Sequence, residues 1–379
     1  MIGMSAVIFI PDDTAKTGYP QPLMLQSVMG APLLAWLANA LFDSGVGRFF
    51  LVCHDRYVEA ARACLPAEAE VMTTMDSDPA DLLHVFLSTA EDAEHTITVV
   101  TGPAVYLPQL APQAAGRFPR VYGVSREELM QAYRKLTRLH DGIRYEVSMA
   151  AFSDALTEIE EQAMYSVASP AELPEIAGLL QRNRLLALAR TGVEIYDASS
   201  CYVEPSVRVA PGARLLPGTM LRGKTVIGEE AVIGPWSVID DSVIGARAVV
   251  NASQVRDSRV GQDAVVGPYA SVRGGCELGR SVRAGSFVEL KNARLGENTQ
   301  VPHLAYLGDT EAGANCNFGC GVTTANFDRV QKHETVVGEG AFIGCNTALI
   351  APLQVGSGAY IGAGSTITED VPAQALGIA

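Results

Sequence analysis

The chain has 379 residues, 48% hydrophobic and 18% charged. That balance belongs to folded chains, and the length exceeds what one hydrophobic core serves, so two domains are expected. A formal charge of −14 and a pI near 4.9 argue against non-specific binding to nucleic acid or anionic membrane, so an anionic substrate would need a local cluster of basic side chains.

From the N-terminus, "AVIFI", "RFFLVC", "AEVMTT" and "TITVV" read as strands. They alternate with the helical patterns "PLLAWLANALFDSG", which ends at Gly45, "YVEAARACL" and "ADLLHVFLSTA". This order predicts a mostly parallel α/β sheet, Rossmann-like, over residues 1–168. Residues 169–193 read as a linker helix, with Ser169 as its cap, Pro170 just inside and Gly192 at its end. "MIGMSAVIFIPDD" lacks the basic start and long apolar run of a secretion signal. No stretch approaches the ~18 apolar residues of a membrane helix. A cytoplasmic protein is expected. Seven cysteines, an odd number without a C-x-x-C pair, point to small buried thiols rather than to disulfides or a metal site.

From about residue 194 to 379 the grammar changes. Val209, Leu215, Leu221, Ile227, Ile233 and Ile239 recur at intervals of six. So do Val260, Val266, Val272, Leu278, Ala284 and Leu290, and again Val337, Ile343, Leu349, Val355, Ile361 and Ile367. Neither a helix nor a flat half-buried strand has this period. A chain wound into triangular coils does: each hexad is a short strand plus a turn, with the aliphatic residue inward. Gly often follows that residue, which predicts tight bending at each corner. Residues 203–371 would make roughly nine coils of ~18 residues. The repeat breaks at "TTANFDRVQKHE" (323–334), and an irregular segment ejected from a rigid scaffold is a candidate site.

Within this half, R-x-G at Arg273, "FVELK", "HLAYLGD" and "NFGCG" followed by "NFD" resemble the acetyltransferase domain of the bifunctional UDP-N-acetylglucosamine pyrophosphorylase/glucosamine-1-phosphate N-acetyltransferase family. The match is dense over residues 260–371. The resemblance implies a left-handed parallel β-helix and a homotrimer with sites between neighbouring copies. It implies acetyl transfer from acetyl-CoA to the amine of an amino-sugar phosphate, glucosamine 1-phosphate. His303 matches the catalytic base, and Glu289 stands where it could orient it. Arg273, Lys291 and Lys332 match groups that hold the sugar phosphate, while Tyr306, Asn317, Asn326 and Phe327 match substrate contacts. Cys320, Cys345 and Ala363 match the acetyl-CoA groove. The residue types suit the chemistry. A phosphate takes charge-assisted donors, and an imidazole can accept the amine proton near neutral pH. Taken singly, Lys291 and Arg273 would be solvated charges and His303 a corner residue; it is the match of the set to the family's motifs that implies a site.

Two departures stand out. The family usually has tyrosine where Phe327 stands, which favours an acyltransferase for another amino sugar as the alternative. The sequence stops at "ALGIA", before the position of a basic tail that helps bind coenzyme A phosphates in the family.

The family also begins with a nucleotidyltransferase domain, and here "IFIPDDTAKTGYPQPLML" aligns with its glycine-rich phosphate loop. Asp12 and Thr14 stand at the two glycines, Lys16 at the arginine and Leu23 at the lysine, and Pro103 replaces the metal-binding aspartate. Carboxylates in that loop repel a triphosphate, and without that aspartate a magnesium ion loses a ligand. The uridylyl transfer, and magnesium with it, is therefore expected to be lost. A non-catalytic regulatory paralogue and a residual nucleotidyltransferase are the remaining alternatives.

Overall fold

A computed structural model describes residues 5–73, 79–88, 97–110, 121–124 and 164–379. Met1, Thr74, Thr89, Ala90, Thr96 and much of the predicted first domain lie outside the described residues. Contacts divide the chain into two compact units, Met1–Leu186 and Ala187–Ala379.

In the first unit, β1 (Ser5–Phe9), β2 (Arg48–Val52), β3 (Glu70–Thr73), β4 (Ile97–Val100) and β5 (Val121–Val124) form a sheet in the order β3-β2-β1-β4-β5. All neighbours are parallel except β5, which runs antiparallel to β4. Strands β1 and β4 are buried along their whole length, which explains their continuous apolar runs. Helix α1 (Leu33–Asp43) packs its leucines into the core, and Gly45, at φ 104°, turns the chain beyond it. The strand order reverses between β1 and β4. The loops after these two strands, carrying Asp12 and Pro103, therefore flank the crevice where open α/β sheets bind ligands.

Helix α2 (Leu173–Arg190) follows a single 3₁₀ turn at Pro170–Glu172. Ser169 has extended backbone but its hydroxyl caps nothing; the Ala168 N–H is instead taken by Glu172 Oε2 at 3.4 Å. Ile176 and Leu180 join the core of the first unit, so the first turns of this helix are docked rather than spanning solvent. Gly192, at φ 93°, follows its end.

The second unit is a parallel β-helix of hexapeptide repeats. One face is an eleven-stranded sheet from Glu194–Ile195 to Leu376–Gly377, and a seventeen-stranded sheet wraps the other two faces. Eleven passes exceed the roughly nine that the hexads predicted, because the terminal coils carry no full repeat. Of the eighteen aliphatic positions named above, all but Val209 are buried. Each buried Val, Leu or Ile side chain contributes about 1.5–3 kcal/mol. Stacking equivalent residues at the ~4.8 Å coil spacing makes that burial continuous.

The glycine reading needs correction. Of the glycines that directly follow an inward aliphatic residue, Gly234 and Gly267, at φ 104° and 100°, do turn left-handed, but Gly228, Gly261, Gly279, Gly338, Gly344, Gly356 and Gly362 do not. These let two coils approach: a Cβ added at Gly344 would stand 2.5 Å from the Ala363 nitrogen. The left-handed corners lie nearby and form three files. Two of them use residues that tolerate positive φ, such as Asp241, Asp257, Asn292 and Asp309 in one and Asp263, Asn298 and Asn315 in the other. The third puts Trp236, Tyr269, Phe287 and Leu304 at φ 44–61°.

Candidate functional site

Most of the predicted residues lie on or beside the strands of the coils from Ser271 to Ala325, with Cys345 and Ala363 on later coils: β6 (Ser271–Arg273), β7 (Arg283–Ser286), β8 (Glu289–Leu295), β9 (Gln300–His303), β10 (Tyr306–Ala312), β11 (Asn317–Phe318) and β12 (Thr323–Ala325). β8 pairs through its first half with β6 and through its second half with the Glu277–Leu278 strand on the next face. It therefore bends around a corner. Parallel register fixes which side chains share a column. Arg273 lies opposite Lys291, and Lys291 opposite Gly308; Glu289 lies opposite Tyr306.

These columns build a cationic patch. Arg273 is ion-paired with Glu289, so the carboxylate expected beside the imidazole is engaged by the guanidinium instead. Lys332, on the ejected loop, sits close enough to Lys291 to hold its pKa below the ordinary lysine value; desolvation and Arg273 act in the same direction, and Asp309 opposes them. Two ammonium groups forced together repel, and a bound anion relieves that repulsion.

A pH dependence follows. Inorganic phosphate bound here should draw the Lys291 pKa back up. Between its lowered value and 10.5, binding should then take up protons, and affinity should fall as pH rises through that range. Calorimetry in two buffers of different ionisation enthalpy checks this, and Lys291→Met should abolish the proton uptake.

Asp309 was not singled out from the sequence, although it closes the "HLAYLGD" motif. It sits at φ 47° and organises the patch. Its Oδ1 accepts from Asn292 Nδ2 at 2.6 Å, and its Oδ2 accepts from Asn326 Nδ2. Asn326 is buried, and it ties the ejected loop to the coil. A bridge between Phe327 and Lys332 closes that loop. Asp328 fills its mouth, accepting from the Val330 and Gln331 N–H groups at 2.7 Å each and contacting His333 Nε2 at 2.7 Å. These bonds, the Gln331 N–H first, hold the Asp328 carboxyl well below the usual range. The loop is thus a pinned hairpin that sets Lys332 beside Lys291, while Phe327 stays exposed.

The remaining residues lie around one bend. His303 ends β9 opposite Ser286 and is exposed. Leu304, at φ 44°, turns the chain before Tyr306. The register Gln300↔Asn317 and Asn317↔Phe342 carries Asn317 onto the same face as His303. Continued three residues, it sets His303, Cys320, Cys345 and Ala363 in one file along successive coils. Within a single chain, then, the cations, Tyr306 and Asn326 form one group. His303, Asn317 and the Cys320–Ala363 file form a second, with the Phe287–Leu304 corner between them. Among the described residues no helix is long and apolar enough to cross a membrane.

Fold and site define a hexapeptide-repeat β-helix protein with a cationic patch and, around the bend from it, an exposed imidazole. Residues 334–369 match the family described as bacterial transferase hexapeptide (six repeats). The chain is similar to the bifunctional protein GlmU of Brevibacillus brevis, 42% identical over 221 residues, which are 58% of this chain and 48% of that protein. It is also similar to GlmU of Clostridium perfringens, 44% identical over 224 residues, 59% of this chain and 49% of that one. The chain thus spans about half the length of the curated relatives it matches. Among solved structures, a UDP-N-acetylglucosamine acyltransferase of Francisella novicida overlaps 47% of this chain and 62% of its own at 17% identity, with a TM-score of 0.30.

Proposed function

We propose that the β-helix transfers acetyl from acetyl-CoA to the amine of glucosamine 1-phosphate. The observation that carries this reading is the Arg273–Lys291–Lys332 patch, a cluster of cations gathered around Lys291 in a chain of net charge −14. The likeness to GlmU supports the choice of substrate. The phosphate binds Arg273, Lys291 and Lys332; charge-assisted bonds of this kind contribute about 1.5–3 kcal/mol each. Tyr306, Asn326 and Asn317 position the sugar, and Glu289 holds Arg273 in place. The imidazole of His303 takes the proton as the neutral amine attacks the thioester carbonyl. The thioester lies along the Cys320, Cys345 and Ala363 file, where exposed coil edges leave room for it. The test is thiol release from acetyl-CoA with a panel of amino-sugar phosphates. Turnover with glucosamine 1-phosphate is expected, and its absence with every member of the panel would overturn the reading. Phe327 supports keeping other amino sugars in that panel.

The bend between the two groups of residues supports a trimer in which a neighbouring copy completes each site. Trp236, Tyr269, Phe287 and Leu304 at this corner are 71, 63, 60 and 58% exposed, and the Tyr269 and Phe287 rings stack at 5.3 Å. Bulky residues held at positive φ cost about 1–2 kcal/mol each, and little burial within the chain offsets it here. Contact with a second copy supplies the compensation. Phe287→Asp with Leu304→Asp should dissociate the assembly in sedimentation experiments. Chain stability should hold, because aspartate tolerates positive φ better than either residue it replaces.

The first unit is proposed to have lost uridylyl transfer. Asp13 Oδ1 accepts the Leu23 N–H at 2.9 Å, and burial raises its pKa. Asp12 accepts the Thr14 hydroxyl at 2.7 Å and pairs with Arg56. The loop is thus closed by its own carboxylates where backbone N–H groups would cradle phosphate. Buried Pro103 offers no ligand, so these residues do not fit a magnesium–nucleotide complex.

A further inference from the structure

None of the seven cysteines is joined in a disulfide. Five of them, Cys53, Cys64, Cys201, Cys276 and Cys316, are buried. Burial pushes each thiol up, Cys53 to about 11 and Cys64 to about 12. Such thiols stay protonated and poorly reactive. The two that reach solvent are Cys320, half-buried, and Cys345, exposed, and these two are neighbours. The register Asn317↔Phe342 and Phe318↔Ile343 runs on to set Cys320 opposite Cys345. The Asn346 N–H donates to the Cys320 carbonyl at 2.7 Å. A Cβ added at Gly319 would stand 2.6 Å from the Cys345 nitrogen. The two backbones are therefore held at the coil spacing of ~4.8 Å, inside the ~4.4–6.8 Å Cα separation that a disulfide spans. Gly319, Gly321 and Gly344 flank the pair, and the fourth sequence neighbour, Asn346, lays its side chain over Gly321. The expectation of uniformly buried thiols fails at these two positions.

We propose that Cys320 and Cys345 form a reversible dithiol–disulfide site on the edge that carries His303, oxidised by a peroxide. The exposed Cys345 thiolate attacks one peroxide oxygen and the O–O bond breaks; the other oxygen leaves and, with the available protons, becomes water. The resulting sulfenic acid is attacked by the Cys320 thiol, which forms the S–S bond and releases a second water. Two thiols lose two electrons and two protons, and one hydrogen peroxide gives two waters. Parallel neighbours point their Cβ atoms side by side rather than at one another. The bond therefore forms under strain, and a strained, exposed disulfide is easily reduced. The consequence for activity rests on the acyltransferase reading: the disulfide reshapes the edge along which the acyl donor lies.

The experiment uses the full chain, reduced, freed of reductant and exposed to hydrogen peroxide. Trypsin cuts after Arg329 and Lys332, which separates Cys320 from Cys345, and fragmentation distinguishes Cys320 from Cys316 in the linked peptide. The expected result is a mass loss of two hydrogens and a Cys320–Cys345 link within one chain on non-reducing gels. Dithiothreitol should reverse it, and Cys320→Ser and Cys345→Ser should each abolish it. A link through Cys316, a link between chains, or a sulfenic acid at Cys345 that persists without a link overturns the proposal. Acetyl transfer should fall in step with the linked fraction and return with dithiothreitol. A link in a chain whose reduced form has no transfer activity sinks the acyltransferase reading and leaves the dithiol standing. An active reduced chain that never links sinks the dithiol alone.

Discussion

Replacing His303 with alanine is expected to lower kcat for acetyl transfer by about 10²–10⁴-fold, the range of a lost general base, while glucosamine 1-phosphate still binds. The side chain is exposed at the end of its strand, so truncation leaves no cavity. The turn after it is fixed by the backbone, through the Leu304 N–H to the Ser286 carbonyl at 2.9 Å. Neither feature depends on the imidazole, so the coil should stay intact and the loss should be chemical. Affinity should hold because Arg273, Lys291 and Lys332 lie around the bend from His303. Initial rates of thiol release give kcat, and calorimetry with the sugar phosphate gives affinity. An unchanged kcat would remove His303 from the chemistry, and lost binding with normal kcat would make it a ligand contact.

What the sequence made legible follows from what repeats. Ile233, Val266 and Ile343 announce the coil because an inward aliphatic residue recurs every sixth position. The same periodicity says nothing about which corner residues take positive φ. It therefore hid that Phe287 and Leu304 form an exposed edge between the two groups of site residues. It also assigned Gly344 to bending, when the close approach of Ala363 is what excludes a side chain there. Lys291 and Arg273 were identifiable from the motif, and their shared column follows from register. Glu289 was expected to serve His303, but a sequence cannot tell which of two nearby partners a carboxylate takes, and its ion pair is with Arg273. Asp309 went unnoticed because its work is to hold Asn292 and Asn326, and a positioning residue has no reactive type of its own. In the first unit, Asp12 and Asp13 read as charges that repel phosphate. The folded loop adds that they are spent on Thr14, Arg56 and the Leu23 N–H.

The second large effect is expected at a residue with no side chain. A Cβ on Gly308 would stand 2.4 Å from Tyr306 Oη, 2.7 Å from its Cζ and 2.8 Å from Asn326 Nδ2. The glycine cannot easily recede, because its N–H donates to the buried Thr324 hydroxyl at 2.8 Å. In Gly308→Ala the displacement must therefore fall on the two side-chain ends, swinging the Tyr306 ring away and pulling Asn326 from Asp309. Substrate affinity should drop by about 10–100-fold, the equivalent of the two hydrogen bonds to the sugar that Tyr306 and Asn326 would lose. The melting temperature should move little, because the colliding atoms are the tips of side chains rather than backbone. Coupling gives the sharper check. Tyr306→Phe removes the hydroxyl and Gly308→Ala displaces the ring that carries it, so the double variant should lose much less than the sum of the two single losses. Fully additive losses would mean that Gly308 does not act through Tyr306, and the steric account of this column would have to be abandoned.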